Sequence, residues 1–112
     1  MAVSVLVIDV GTTGLRAAVV RNDGSIAHLN YELCSPTSPF SGLVEFDALA
    51  MRDAVLRVAH KTLAAAGKVE AVGITTQRAS TVVWDANTGL PIGASFSWQD
   101  LRTVGECITA KI

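Results

Sequence analysis

The chain has 112 residues, a formal net charge of −1, 50% hydrophobic residues and 17% charged residues. That length suits one domain with a sizeable core, and the apolar content excludes a disordered chain. Lys and Arg are scattered with no basic stripe or run of like charge, which argues against a nucleic-acid binder.

Residues 3–10 are rich in Val, Leu and Ile and predict a buried strand. The apolar run has no basic residues before it and is cut short by Asp9, so it does not read as a signal peptide. Gly11-Thr12-Thr13-Gly14 supplies a turn, residues 15–21 a second strand, and Asn22-Asp23-Gly24-Ser25 a second turn. Residues 26–33 complete an antiparallel meander of three strands. Residues 35–45, with Pro36, Pro39 and Gly42, read as a loop.

Asp47 stands before a helical pattern and is placed to cap it. Leu49, Val55, Val58, Ala59, Thr62, Leu63 and Ala66 form one apolar face of a helix over residues 48–66, which Gly67 ends. Residues 69–76 predict a further buried strand, parallel to a partner because a helix crosses between them. Residues 81–84 and 92–98, around Asn87-Thr88-Gly89, predict a second hairpin. Asp100 is expected to cap a last helix that runs to the end of the chain. The fold class is therefore α/β, a mixed sheet that opens with a three-stranded antiparallel meander and continues with a helix and further strands.

Asp9-Val10-Gly11-Thr12-Thr13-Gly14-Leu15-Arg16 carries the most chemistry. Glycines at Gly11 and Gly14 let an anion approach the backbone, and turn N–H groups can converge on it. The hydroxyls of Thr12 and Thr13 add donors, and Arg16 adds a fixed positive charge suited to phosphate oxygens. Asp9, at the end of an apolar strand, is placed to hold Mg²⁺, an ion usually bound by one or two carboxylates with retained waters. No Lys follows Gly14, so this is not a Walker A loop, and the turn joins two strands, so it is not a dinucleotide fingerprint. An ordinary hairpin with a satisfied Asp and Thr pair is the plainer reading of this stretch alone.

Other polar residues carry less. His28 and His60 have no partner at metal-ligand spacing and read as surface or structural. Cys34 and Cys107 are far apart and read as free thiols in a reducing compartment. Trp84 is expected in the core or under the second hairpin. Glu45 is expected to act as a structural hydrogen-bonder. Arg78 suits either ligand hydroxyls or a structural ion pair.

Several segments together resemble the N-terminal part of the FGGY carbohydrate kinases, most of all the glycerol kinases. They are the Asp9 to Ala17 stretch, Gly42-Leu43-Val44-Glu45-Phe46-Asp47, Gly73-Ile74-Thr75-Thr76-Gln77-Arg78, Thr81-Val82-Val83-Trp84, Thr88-Gly89-Leu90-Pro91-Ile92 and Trp98-Gln99-Asp100-Leu101-Arg102-Thr103. The resemblance implies an actin-like, ribonuclease-H-like fold and an ATP- and Mg²⁺-dependent transfer of phosphate to a sugar or polyol. It implies that Asp9 helps hold the metal and that Gly11, Thr12, Thr13, Gly14 and Arg16 surround the nucleotide phosphates. Arg78 would contact polyol hydroxyls, Trp98 would pack against the carbon chain, and Gln77 would support Arg78. It departs at Ala79, where glycerol kinases typically carry Glu, and at Gly14, where they usually carry Ser; Ala79 argues against glycerol itself.

Family members are several times longer. The chain is therefore expected to be a partial N-terminal domain over residues 1–112, with the second domain absent. The general base and adenine pocket would lie beyond residue 112, so this chain should hold no catalytic residue of its own. A cytoplasmic protein with no nucleic-acid or membrane partner is expected, and a homo-oligomer stays open. The alternative from another class is a non-catalytic actin-like module that binds a nucleotide or a partner protein.

Overall fold

The computed structural model describes residues 3–111. The elements run β1 (Ser4–Val10), β2 (Gly14–Arg21), β3 (Ile26–Leu33), β4 (Glu45–Phe46), α1 (Ala48–Ala66), β5 (Ala71–Thr76), β6 (Ser95–Phe96) and α2 (Val104–Thr109). They fall into two compact units. The first holds the chain up to Ser35 together with Leu49–Gln77; the second holds Pro36–Ala48 together with the chain from Arg78 onward.

In the first unit the sheet order is β3-β2-β1-β5. β1 pairs antiparallel with β2, β2 antiparallel with β3, and β1 parallel with β5. The meander forms because two short turns join apolar strands, and Gly24 adopts the left-handed φ of 83° that the Asp23-Gly24 turn requires. β5 returns parallel because α1 carries the chain back over the sheet. The strand alternation sets the core. Leu6, Ile8 and Val10 of β1 pair in register with Val19, Ala17 and Leu15 of β2, and all six are buried. Ala54, Val58 and Ala59 of α1 complete this cluster, with Met51, Val55 and Leu63 packed against it.

Thr62 is the polar member of the helix face and is fully buried. Its Oγ1 donates to the Ala17 carbonyl at 3.3 Å and accepts from Asn30 Nδ2 at 3.0 Å, so helix and meander are pinned by one hydroxyl. α1 ends where the sequence predicts it. Gly67 takes a left-handed φ of 80°, and its N–H donates to the Leu63 carbonyl at 2.8 Å.

The second unit departs from expectation in several places. Glu45, read from sequence as the end of a loop, and Phe46 form β4, which pairs antiparallel with β6. The expected second hairpin is present as a few bridges rather than continuous strands: Thr81 pairs with Phe96 and Trp84 with Pro91. Trp84 is not in a core but 60% exposed, because the bridge to Pro91 places it beside the exposed turn of residues 85–89. Asp100 does not cap α2, which begins after Thr103 and ends at Thr109. Its carboxylate has stronger partners: Oδ2 accepts the Val44 N–H at 2.7 Å and Oδ1 accepts the Arg102 N–H at 3.0 Å. The helix expected to run to the terminus thus stops earlier, and Ile112 lies outside the described residues. No helix among the described residues is long and apolar enough to cross a membrane.

Candidate functional site

The turn between β1 and β2 is a two-residue loop. Gly11 N–H donates to the Gly14 carbonyl at 3.0 Å and closes it, leaving Thr12 and Thr13 at the tip. Thr12 is half-buried and Thr13 exposed. The Thr13 carbonyl accepts the Cys34 N–H at 2.9 Å, which ties the loop to the end of β3. Gly11 is required by close approach, since a Cβ there would stand 2.7 Å from the Gly14 carbonyl oxygen. Its own N–H is engaged within the turn, so Gly11 offers an anion its shape and not a donor.

Asp9 and Arg16 are cross-strand partners in the β1–β2 register. Arg16 Nη1 lies 3.4 Å from Asp9 Oδ2, and both side chains are about half exposed, at 51% and 42%. A pair this exposed contributes little to stability. It leaves a carboxylate and a guanidinium in solvent at the root of the Thr12-Thr13 loop. Tyr31, the β3 partner of Arg16, lies beneath the guanidinium, with Arg16 Cζ 5.1 Å from its ring centroid. The same ring accounts for Gly14, because a Cβ there would overlap the Tyr31 phenol. Sequence reading of this turn missed Tyr31; the strand register was the signal that could have found it.

Gln77 follows β5 directly. Its N–H donates to the Val10 carbonyl at 2.9 Å, so it sits at the same end of the sheet as Asp9 and the loop. Asp9, Gly11, Thr12, Thr13, Gly14, Arg16 and Gln77 therefore gather at one end of the first unit. Among the described residues no three His, Cys, Asp or Glu side chains form a group that could hold a metal ion. His28 and His60 are exposed, as expected of surface residues. Cys34 and Cys107 form no disulfide.

Arg78 and Trp98 belong to the second unit. Arg78 is exposed and has no ion-pair partner among the described residues. Trp98 is 53% exposed, and its backbone N–H donates to Ser80 Oγ at 3.1 Å. Trp98 and Ala79 line an open cavity of about 610 Å³, with Thr81, Phe96, Leu101 and Val104 among its walls.

A charged cluster braces this unit. Arg102 Nη2 donates to Glu45 Oε1 at 2.7 Å and to Asp100 Oδ2 at 2.8 Å, and its Cζ lies 3.9 Å over the Phe96 ring. The Asp100 side chain is only 5% exposed. The Arg102 guanidinium, then the N–H groups of Arg102 and Val44, hold its carboxyl well below the ordinary carboxylate range, and the Arg102 guanidinium is correspondingly held charged. Glu45 is thus a structural hydrogen-bonder, as its sequence position suggests.

A mixed sheet that begins with this antiparallel meander and gains a parallel strand across a helix is the actin-like, ribonuclease-H-like fold. Solved structures agree. Gluconate kinase from Lactobacillus acidophilus superposes with a TM-score of 0.88 at 20% identity, covering 99% of this chain and 23% of that one. Plasmodium falciparum glycerol kinase with ADP superposes with a TM-score of 0.88 at 23% identity, covering 96% of this chain and 22% of that one.

The sequence relationship is closer than the identity to those structures suggests. Residues 4–111 match the N-terminal domain of the FGGY family of carbohydrate kinases, and the chain belongs to that family. It is 43% identical over 111 residues to a glycerol kinase of Trichlorobacter lovleyi, covering 96% of this chain and 22% of the relative. It is 43% identical over 108 residues to a glycerol kinase of Haloferax volcanii, covering 93% and 21%. The chain therefore spans about a fifth of the length of the curated relatives it matches.

Proposed function

We propose that this chain is the N-terminal part of an ATP-dependent carbohydrate kinase that transfers the γ-phosphoryl group to a hydroxyl of a polyol or sugar. The observation that carries this reading is the exposed Asp9–Arg16 pair at the root of the Thr12-Thr13 loop, in a chain of the FGGY family. Arg16 offers phosphate oxygens a fixed charge, and Thr12 and Thr13 offer hydroxyls. Asp9 suits Mg²⁺, because its carboxylate is solvent-accessible and Mg²⁺ is content with one protein carboxylate when phosphates and water complete its shell. When bound, the metal neutralises charge on the phosphate oxygens.

Arg78 and Trp98 supply the substrate side, with Gln77 behind Arg78. Arg78 donates to polyol hydroxyls, and the exposed indole of Trp98 gives the carbon chain an apolar wall. Ala79 offers neither an acceptor nor bulk, which favours a substrate larger than glycerol. In the transfer the substrate oxygen bonds to the γ-phosphorus, the bond to the bridging oxygen breaks, and the hydroxyl proton leaves to a base outside residues 1–112. Phosphoryl transfer needs groups on both sides of the transferred phosphate. The 112-residue chain holds one side and releases no ADP by itself. Two cysteines without a disulfide are compatible with a cytoplasmic setting.

The test is a chimera in which this chain replaces the N-terminal fifth of the Trichlorobacter lovleyi relative. A folded chimera that releases ADP with a polyol or ketose supports the reading. A folded chimera that binds ATP but phosphorylates none of them overturns it.

A further inference from the structure

Ala79 holds a left-handed φ of 60°. That region suits glycine and is uncommon for an alanine, which has no polar side chain to brace it. Among the described residues the other non-glycine residue with positive φ is His28, beside the irregularity in the β2–β3 pairing, where a bulge accounts for it. No bulge accounts for Ala79. The residues that follow it are clamped instead. Ser80 Oγ accepts the Trp98 N–H at 3.1 Å, and Thr81 and Phe96 exchange both backbone hydrogen bonds at 2.9 Å. With residues 80 and 81 fixed to 98 and 96, the change of direction after Arg78 falls on Ala79.

The clamp has a consequence for the cavity. Ala79 and Trp98 both line it, and the Ser80 hydroxyl joins the segments that carry them. The neighbours of Trp98 are held by other bonds: Ser97 N–H donates to the Val44 carbonyl at 3.0 Å, and Asp100 N–H donates to the Ser97 carbonyl at 2.9 Å. The amide of Trp98 itself is held by Ser80. We propose that Ser80 is a positioning residue that fixes Trp98 against a turn strained at Ala79, so that the indole wall is set before substrate arrives. The role assigned to that wall rests on the carbohydrate-kinase reading above; the coupling of Ser80 to Trp98 does not. Preset geometry of this kind lowers the ordering cost of binding, and strained backbone persists where its surroundings over-determine it.

The chain has two tryptophans, so Trp84→Phe leaves Trp98 as its one indole. In that background, iodide quenching of Trp98 is measured for the parent, Ser80→Ala, Ser80→Thr and Ala79→Gly, with xylitol and glycerol as probes. Ser80→Ala makes Trp98 more quenchable and weakens the xylitol response by roughly fivefold, the scale of one hydrogen bond. Ser80→Thr, which keeps the hydroxyl, restores both. Ala79→Gly raises Tm, because glycine takes the left-handed conformation without strain.

Unchanged quenching in a folded Ser80→Ala variant overturns the proposal whatever the parent binds. A fall in Tm for Ala79→Gly overturns the strain at that turn. If the parent responds to neither probe while Ser80→Ala still loosens Trp98, the coupling stands and the polyol reading falls.

Discussion

Asp9 and Arg16 face each other across the first hairpin, with Arg16 Nη1 3.4 Å from Asp9 Oδ2 and the Tyr31 ring beneath the guanidinium. The pair adds little to the fold, since both side chains are about half exposed. Removing either charge should therefore leave Tm nearly unchanged while weakening nucleotide binding. Asp9→Asn is expected to abolish the Mg²⁺ dependence of ATP binding, and Arg16→Ala to weaken binding with or without Mg²⁺. Calorimetric titration with and without EDTA separates the two.

The loop itself is sensitive to a single methyl group. Gly11→Ala would put a Cβ 2.7 Å from the Gly14 carbonyl oxygen, which belongs to the backbone and cannot swing away. The expected result is a loss of about 1–3 kcal/mol, read by urea unfolding, as for other overpacked positions. Gly14→Ser is expected to be milder, because the obstacle there is the outer end of the exposed Tyr31 side chain.

Thr62 tests the joint between helix and meander. Thr62→Val keeps the volume but leaves Asn30 Nδ2 without its hydroxyl acceptor and the Ala17 carbonyl without that donor. Asn30 Nδ2 keeps its bond to the His28 carbonyl at 3.0 Å, so the cost is that of the lost hydrogen bonds, about 0.5–1.5 kcal/mol each. Thr62→Ser should recover most of it, and the comparison of the two midpoints in urea checks the assignment.

Acid should loosen the second unit. Asp100 is held below the ordinary carboxylate range chiefly by Arg102, so its stabilising contribution is complete above that range. It is lost as pH falls through the ordinary value toward the lowered one. Stability measured from pH 7 downward is expected to decline from about pH 5, where free Asp begins to titrate. Asp100→Asn should be less stable at neutral pH and show a flatter acid limb. An unchanged acid limb in that variant would remove Asp100 from the account.

Ala79 bears on substrate choice. In the chimera, Ala79→Glu is expected to raise kcat/KM for glycerol by roughly 5- to 150-fold, the scale of one recovered acceptor. The ratio of glycerol to four- and five-carbon substrates is the quantity to measure. A parent that already prefers glycerol, with no response to Ala79→Glu, would place that contact elsewhere.

Much of the first unit was legible because its information is local. The meander follows from two glycine turns between apolar runs, and α1 follows from an apolar stripe that ends at Gly67. The second unit was harder. β4 and β6 span two residues each, too short for an alternating pattern to register. Asp100 looked like a cap because nothing local reveals that its carboxylate is drawn to Val44, far back in the sequence. The same holds for the Arg102–Glu45 bond and the Trp98–Ser80 bond, which join segments distant along the chain. The phosphate-loop candidates could be named because they are contiguous; their neighbour Tyr31 could not, since only the strand register brings it there.

On the proposed function, the first hairpin receives nucleotide phosphates with the help of a metal at Asp9. Backbone amide shifts of the isotope-labelled chain, followed during titration with ATP in the presence and absence of Mg²⁺, test it directly. Shifts are expected to concentrate at residues 9–16, to be larger with Mg²⁺ than without, and to lose that difference in Asp9→Asn. Shifts that avoid residues 9–16, or that respond to Mg²⁺ equally in the Asn variant, would contradict it.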